Sequence, residues 1–101
     1  MIGHNLVGYR FDRDSIVRFA PNAPGVYAIY REGRYLYVGE GQDIQRMLLA
    51  HIEGDNDCIT RKHPTGFAFE LVPDAQRVSR RDILIAQLVT MAPAGCNQPQ
   101  S

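Results

Sequence analysis

The chain of 101 residues, 45% of them hydrophobic, fits one domain around one core and leaves no room for a second domain of ordinary size. Eleven basic residues balance eleven acidic ones, so the formal net charge is zero, and general attraction to a polyanion is excluded. Two cysteines are too few for a disulfide framework, and no apolar run is long enough to cross a bilayer.

In chain order, residues 1–8 read as a frayed start. Tyr9-Arg10-Phe11 reads as a short strand. Asp14-Ser15 is expected to cap a helix over Ile16 to Phe19, which Pro21 and Pro24 end. Two alternating runs follow, Val26 to Tyr30 and Arg34 to Val38, joined by a turn containing Gly33. They predict a β-hairpin. Alternation places Tyr27 and Ile29 on one face of the first strand, and Tyr35 and Tyr37 together on one face of the second. Gly39-Glu40-Gly41 reads as a turn. Gln42 or Asp43 starts a helix, Ile44 to about Ile52, stopped by Gly54.

Glu53 to Pro64 is polar and reads as an exposed loop with one helical turn around Cys58-Ile59. Phe67 to Val72 is a third strand. Ser79 is the expected N-cap of a last helix running from Arg80 to about Val89, where Leu84, Leu88 and Met91 recur at helical spacing. Pro93 and Gly95 terminate it, and Cys96-Asn97 packs back. The pattern is α+β, with a three-stranded antiparallel sheet flanked by helices. Cys58 and Cys96 are expected to be free and buried, with no staple needed. His51, Cys58, His63 and Cys96 have no spacing typical of zinc ligands.

Gly25-Val26-Tyr27 followed by Tyr37-Val38-Gly39, then His51 on a helix and Asn97 near the end, resembles the signature of the GIY-YIG nuclease superfamily. The resemblance covers about residues 22–97 of a single domain spanning 1–101. It implies metal-dependent hydrolysis of DNA phosphodiester bonds. One Mg²⁺ or Mn²⁺ ion would be held by a carboxylate on the last helix. By the resemblance, Tyr27 and His51 activate water, Tyr37 positions the phosphate, and Gly25, Gly39 and Asn97 line and support the site.

Two positions depart from that pattern. The family arginine falls at Met47, with Arg46 one residue earlier. On an ideal helix Met47 lies about 40° from His51 and Arg46 about 140° away. The family glutamate aligns with Arg81, and Asp82 is the carboxylate available in that helix. The expected set is therefore Tyr27, Tyr37, Arg46 and His51 for catalysis, Asp82 for the metal, and Arg80 and Arg81 for phosphate.

The residues also admit plainer roles. The tyrosines could be ordinary sheet residues, and His51 a half-buried histidine. A domain that binds nucleic acid or a protein partner without cleavage is the alternative function. The expected setting is cytoplasmic, with DNA as ligand and a protein partner supplying targeting.

Overall fold

The computed structural model describes residues 8–89 and 96–97, with the side chain of Val89 outside that set. The expectations for residues 1–7 and for Pro93-Ala94-Gly95 lie outside the described residues. The order of elements is β1 (Tyr9–Arg10), α1 (Arg13–Phe19), β2 (Gly25–Arg31), β3 (Arg34–Gly41), α2 (Ile44–Ile52), α3 (Asp57–Arg61), β4 (Gly66–Leu71) and α4 (Arg77–Leu84). A 3-10 turn, Asp74–Gln76, leads into α4, and a π-helical turn, Ile85–Val89, follows it.

The architecture is α+β, as the pattern predicts, but the sheet has four strands rather than three. Their order is β1-β4-β2-β3, and every neighbouring pair is antiparallel. The added strand is Tyr9–Arg10, which pairs with Gly66 and Phe67. Its two residues carry too little alternation to reveal a partner.

β2 lies in the interior of the sheet, and residues 25–29 are all buried. Its alternate side chains enter two different cores, because helices cover both sheet faces. Tyr27 and Ile29, with Phe67 of β4, pack against Ile16 and Ala20 after α1, Ile44 and Leu48 of α2, and Ile59 of α3. Val26 and Ala28, with Val38 of β3, pack against Val72 and Leu84. Burying each large aliphatic or aromatic side chain stabilises the fold by about 1.5–3 kcal/mol. The described helices include none long and apolar enough to cross a membrane.

Capping chemistry fixes the helix starts. Asp43 accepts the Arg46 N–H and caps α2, as expected. Asp12, rather than Asp14 or Ser15, caps α1 by accepting the Ser15 N–H at 2.8 Å. Asn56 caps the single turn of α3 within the polar stretch. The last helix begins at Arg77 rather than after Ser79, because the 3-10 turn feeds directly into it.

The hairpin differs from its sequence reading in two ways. Gly39-Glu40-Gly41 is the end of β3, paired with Tyr27, Val26 and Gly25, and not a turn. An irregularity near Tyr30 and Leu36 also shifts the register, so Ile29 faces Tyr37 while Tyr30 faces Tyr35. Tyr35 therefore packs on the Val26 face, opposite Tyr37. The turn itself has Glu32 at φ 49° and Gly33 at φ 85°, the positive pair that a two-residue hairpin loop requires.

β3 is an edge strand, and the C-terminal segment covers it. Asn97 Oδ1 accepts the Val38 N–H at 2.7 Å, and its Nδ2 donates to the Val38 carbonyl at 2.9 Å. The Cys96 N–H donates to the Leu36 carbonyl at 2.6 Å. Cys96 forms a disulfide with Cys58 of α3, closing 38 residues of separation, so the expectation of free cysteines is corrected. A crosslink of this span stabilises by about 2–4 kcal/mol. A single cysteine pair gives no spacing pattern by which a sequence reading could detect it.

Asn97→Ala removes both side-chain bonds to Val38 and leaves that backbone unit unpaired. The expected loss is about 1–3 kcal/mol, read as a lower urea midpoint at unchanged m-value.

Candidate functional site

Tyr27, Tyr37 and His51 converge on one face of the sheet. Tyr27 comes from the middle of β2, Tyr37 from β3, and His51 from the last turn of α2, whose Ile44 and Leu48 anchor it to the core. The Tyr27 and Tyr37 ring centroids are 6.2 Å apart. The His51 ring lies 5.6 Å from Tyr27 and 5.3 Å, edge-on, from Tyr37.

Gly39 makes this geometry possible. It stands opposite Tyr27 in the β2–β3 register, and a Cβ there would collide with the Tyr27 ring and hydroxyl. The missing side chain gives the phenol its place. Gly25 serves close packing in the same way, because a Cβ there would meet the Glu70 carbonyl and the Ile44 side chain. The hydrogen bonds of the Asn97 side chain go to backbone and not to the three rings. They fix the backbone of Val38, between Tyr37 and Gly39.

A hydrogen-bonded chain runs through the cluster. His51 Nε2 lies 2.8 Å from the Tyr27 hydroxyl, and His51 Nδ1 lies 2.8 Å from Asp55 Oδ1. Ionised Asp55 only accepts, so Nδ1 carries the proton; in the neutral ring Nε2 then accepts the Tyr27 O–H. Burial pushes the His51 pKa below its ordinary 6.5, against the pull of Asp55 in the other direction. The neutral ring assumed in that assignment is therefore the resting form.

Burial raises the Tyr27 phenol strongly, with the neighbouring Tyr37, Asp55 and Glu40 adding to it. Burial also raises Tyr37, and the nearby Arg81 guanidinium opposes that rise. Tyr27 is fully buried and His51 nearly so, whereas Tyr37 is only half-buried. Of the three, Tyr37 is the side chain that meets solvent most.

A second cluster forms at the end of β3 on the Val26 side of the sheet, where Glu40 stands opposite Val26, and its Arg81 is near enough to act electrostatically on Tyr37. Arg77 Nη1 donates to Glu40 Oε1 at 2.9 Å, and Arg81 Nη1 sits 3.7 Å from Glu40 Oε2. Arg77 and Arg81 are four residues apart on α4, so one helix face carries both to the end of β3. Arg77 Nε is 3.0 Å from Asp74, an ionic contact without an aligned hydrogen bond.

Other expected site residues stand elsewhere. Arg46 is exposed in the first turn of α2, and its side chain meets none of the cluster. The helix phase that separates it from His51 holds in the structure. Met47 takes the inward position and packs near Gly41. Arg80 is spent on Glu70 of β4, at 2.7 Å, away from the tyrosines. Asp82 is exposed and bound by its neighbour Arg81 at 3.0 Å.

The sequence reading missed Asp55 as a partner of His51, and it missed the pairing of Glu40 with Arg77. Asp55 was detectable in principle, four residues after His51. The Glu40–Arg77 pair joins positions 37 apart and leaves no local signal.

The carboxylates nearest α4 are already paired with guanidinium: Glu40 with Arg77 and Arg81, and Asp82 with Arg81. No group of three or more His, Cys, Asp or Glu side chains among the described residues is arranged to hold a metal ion. Mg²⁺ takes one or two carboxylates beside its waters and substrate phosphates, and a guanidinium on the same carboxylate competes with it.

No protein-family profile matches the chain, and no curated protein matches it. Solved structures do match. One is the GIY-YIG N-terminal endonuclease domain of UvrC from Thermotoga maritima bound to its catalytic divalent cation, magnesium. The TM-score is 0.65, over 74% of this chain and 86% of that one, at 20% identity. The chain has the GIY-YIG fold. An asparagine-to-alanine mutant of the same domain gives the same similarity, and a tyrosine-to-phenylalanine mutant matches at 19% identity; both are bound to the divalent cation. Gly25-Val26-Tyr27 and Tyr37-Val38-Gly39 lie in the neighbouring strands β2 and β3.

The buried imidazole predicts a pH signature. The unfolded chain takes up a proton on His51 near pH 6.5, while the folded chain resists until lower pH. Stability from this group is fully present above about pH 6.5 and declines as pH falls toward the folded pKa. Urea midpoints measured from pH 7.5 to 5.0 should show that decline, and His51→Gln should flatten it.

Proposed function

We propose that the domain binds the phosphodiester backbone of nucleic acid at the face formed by Tyr37, Arg77 and Arg81, without recruiting a metal ion. The observation that carries this reading is the closure of two arginines of α4 on Glu40, with Arg81 near enough to Tyr37 to act on its phenol. In the sequence alignment with the GIY-YIG pattern, Arg81 falls where that pattern has its metal-holding glutamate. A guanidinium there repels a cation, and its paired Nε and Nη2 donors, held by the exposed Asp82, are the ones a phosphate oxygen would take over. Tyr37 adds a hydroxyl donor from the adjoining strand.

A second reading is phosphodiester hydrolysis. The Asp55–His51–Tyr27 chain favours it, because a carboxylate-oriented neutral imidazole is equipped to accept a proton. Tyr27 is closed to solvent, so any proton taken from a water molecule would pass by way of Tyr37. Fold likeness to an endonuclease domain supports the same direction. The positions of Arg46 and Asp82 count against it.

The experiment is DNA binding by fluorescence anisotropy, with and without EDTA, followed by cleavage assays on plasmid and branched DNA with Mg²⁺ or Mn²⁺. The expected result is binding unchanged by EDTA and weakened about three- to tenfold by Arg81→Gln. Metal-stimulated cutting abolished by Tyr27→Phe would overturn the binding-only reading in favour of hydrolysis.

A further inference from the structure

Charge is balanced overall, so it matters which cations lack a carboxylate partner. Arg10, Arg13, Arg31, Arg77, Arg80 and Arg81 each pair with an acidic side chain. Among the described residues, Arg18, Arg34, Arg46, Arg61 and Lys62 have no such pair. Two of these, Arg34 and Lys62, line a single cleft of about 370 Å³ together with Arg31, Glu32 and Leu36. The Arg31–Glu32 contact is loose, at 3.8 Å between exposed side chains. The cleft therefore holds three cations against one carboxylate, a net of +2, in a protein whose total is zero.

The cleft is also held in shape. Arg31 Nη1 donates to the His63 carbonyl at 2.7 Å, and the Glu32 N–H donates to Thr65 Oγ1 at 3.0 Å. The Thr65 N–H donates to the Tyr30 carbonyl at 2.9 Å. These bonds tie the tip of the β2–β3 hairpin to the segment between α3 and β4. They fix the strand that carries Arg34 against the helix end that carries Lys62. The Glu32-Gly33 turn, with both residues at positive φ, sets the tip itself.

We propose that this cleft, between the hairpin tip and the end of α3, is a second binding site for the backbone phosphates of nucleic acid. Guanidinium groups present flat paired donors to phosphate oxygens, and an ammonium adds a point charge. In its choice of ligand the inference rests on the proposed reading of the domain as a nucleic-acid binder. In its location it does not. Arg34 is about 10 Å along β3 from Tyr37, and none of the cleft's residues belongs to the tyrosine–arginine cluster.

The test uses the full chain and a fluorescein-labelled DNA duplex, titrated at several salt concentrations. Arg34→Gln/Lys62→Gln should weaken binding about tenfold and reduce the salt slope by about 2, one for each lost phosphate contact. Arg34→Gln alone, at an exposed position, should give about half of that slope change. Arg18→Gln/Arg46→Gln removes the same charge elsewhere and should change affinity less than about twofold. Equal losses from both double variants, or no loss from the first, would overturn the inference. So would a matched poly-glutamate, or inorganic phosphate alone, that occupies the cleft more tightly than DNA. Arg81→Gln separates the two sites. If it leaves binding intact while the cleft variants weaken it, the cleft stands and the Tyr37 face falls; the reverse pattern removes the cleft.

Discussion

The fit of one tyrosine over one glycine organises this molecule. Tyr27 lies across Gly39 on the neighbouring strand, and its hydroxyl reaches His51 on α2. That contact joins the middle of the sheet to the end of a helix. It sets where His51 sits, and His51 in turn orients Asp55 beyond the helix end. Any side chain at Gly39 would displace the phenol and break the connection at its first link. The two glycine–tyrosine triplets are therefore parts of one packing arrangement as much as a chemical signature.

What the sequence made legible was local. The hairpin followed from alternation and a glycine turn, α2 from its Asp43 cap and apolar face, and His51 from its place on that face. Tyr35 was misplaced because a register shift at Leu36 exchanges faces, and no periodicity announces such a shift. The start of α4 was misplaced because Ser79 looks like a cap, whereas the preceding 3-10 turn already supplies a helical entry. The Cys58–Cys96 bond and the Glu40–Arg77 pair join distant positions, where one sequence holds no record of proximity. Helical phase correctly set Arg46 apart from His51, and the structure keeps them apart.

Charge near the end of β3 is set by one carboxylate and the helix that faces it. Glu40 is the penultimate residue of β3. Arg77 and Arg81 neutralise it from the facing helix. Partly buried pairs of this sort gain from hydrogen bonding and lose by desolvation, so their net worth to stability is small. Their effect on the local field is larger. They surround one carboxylate with two guanidinium groups at this end of the strand.

The closing segment at Cys96-Asn97 has a consequence for solution behaviour. An outermost strand with vacant amides and carbonyls is a template on which another chain can add its own strand. Here the asparagine carboxamide imitates a strand neighbour at Val38, and the disulfide holds that substitute in place. With the carboxamide in that place, the Val38 N–H and carbonyl are already taken and do not offer themselves to a strand from another chain.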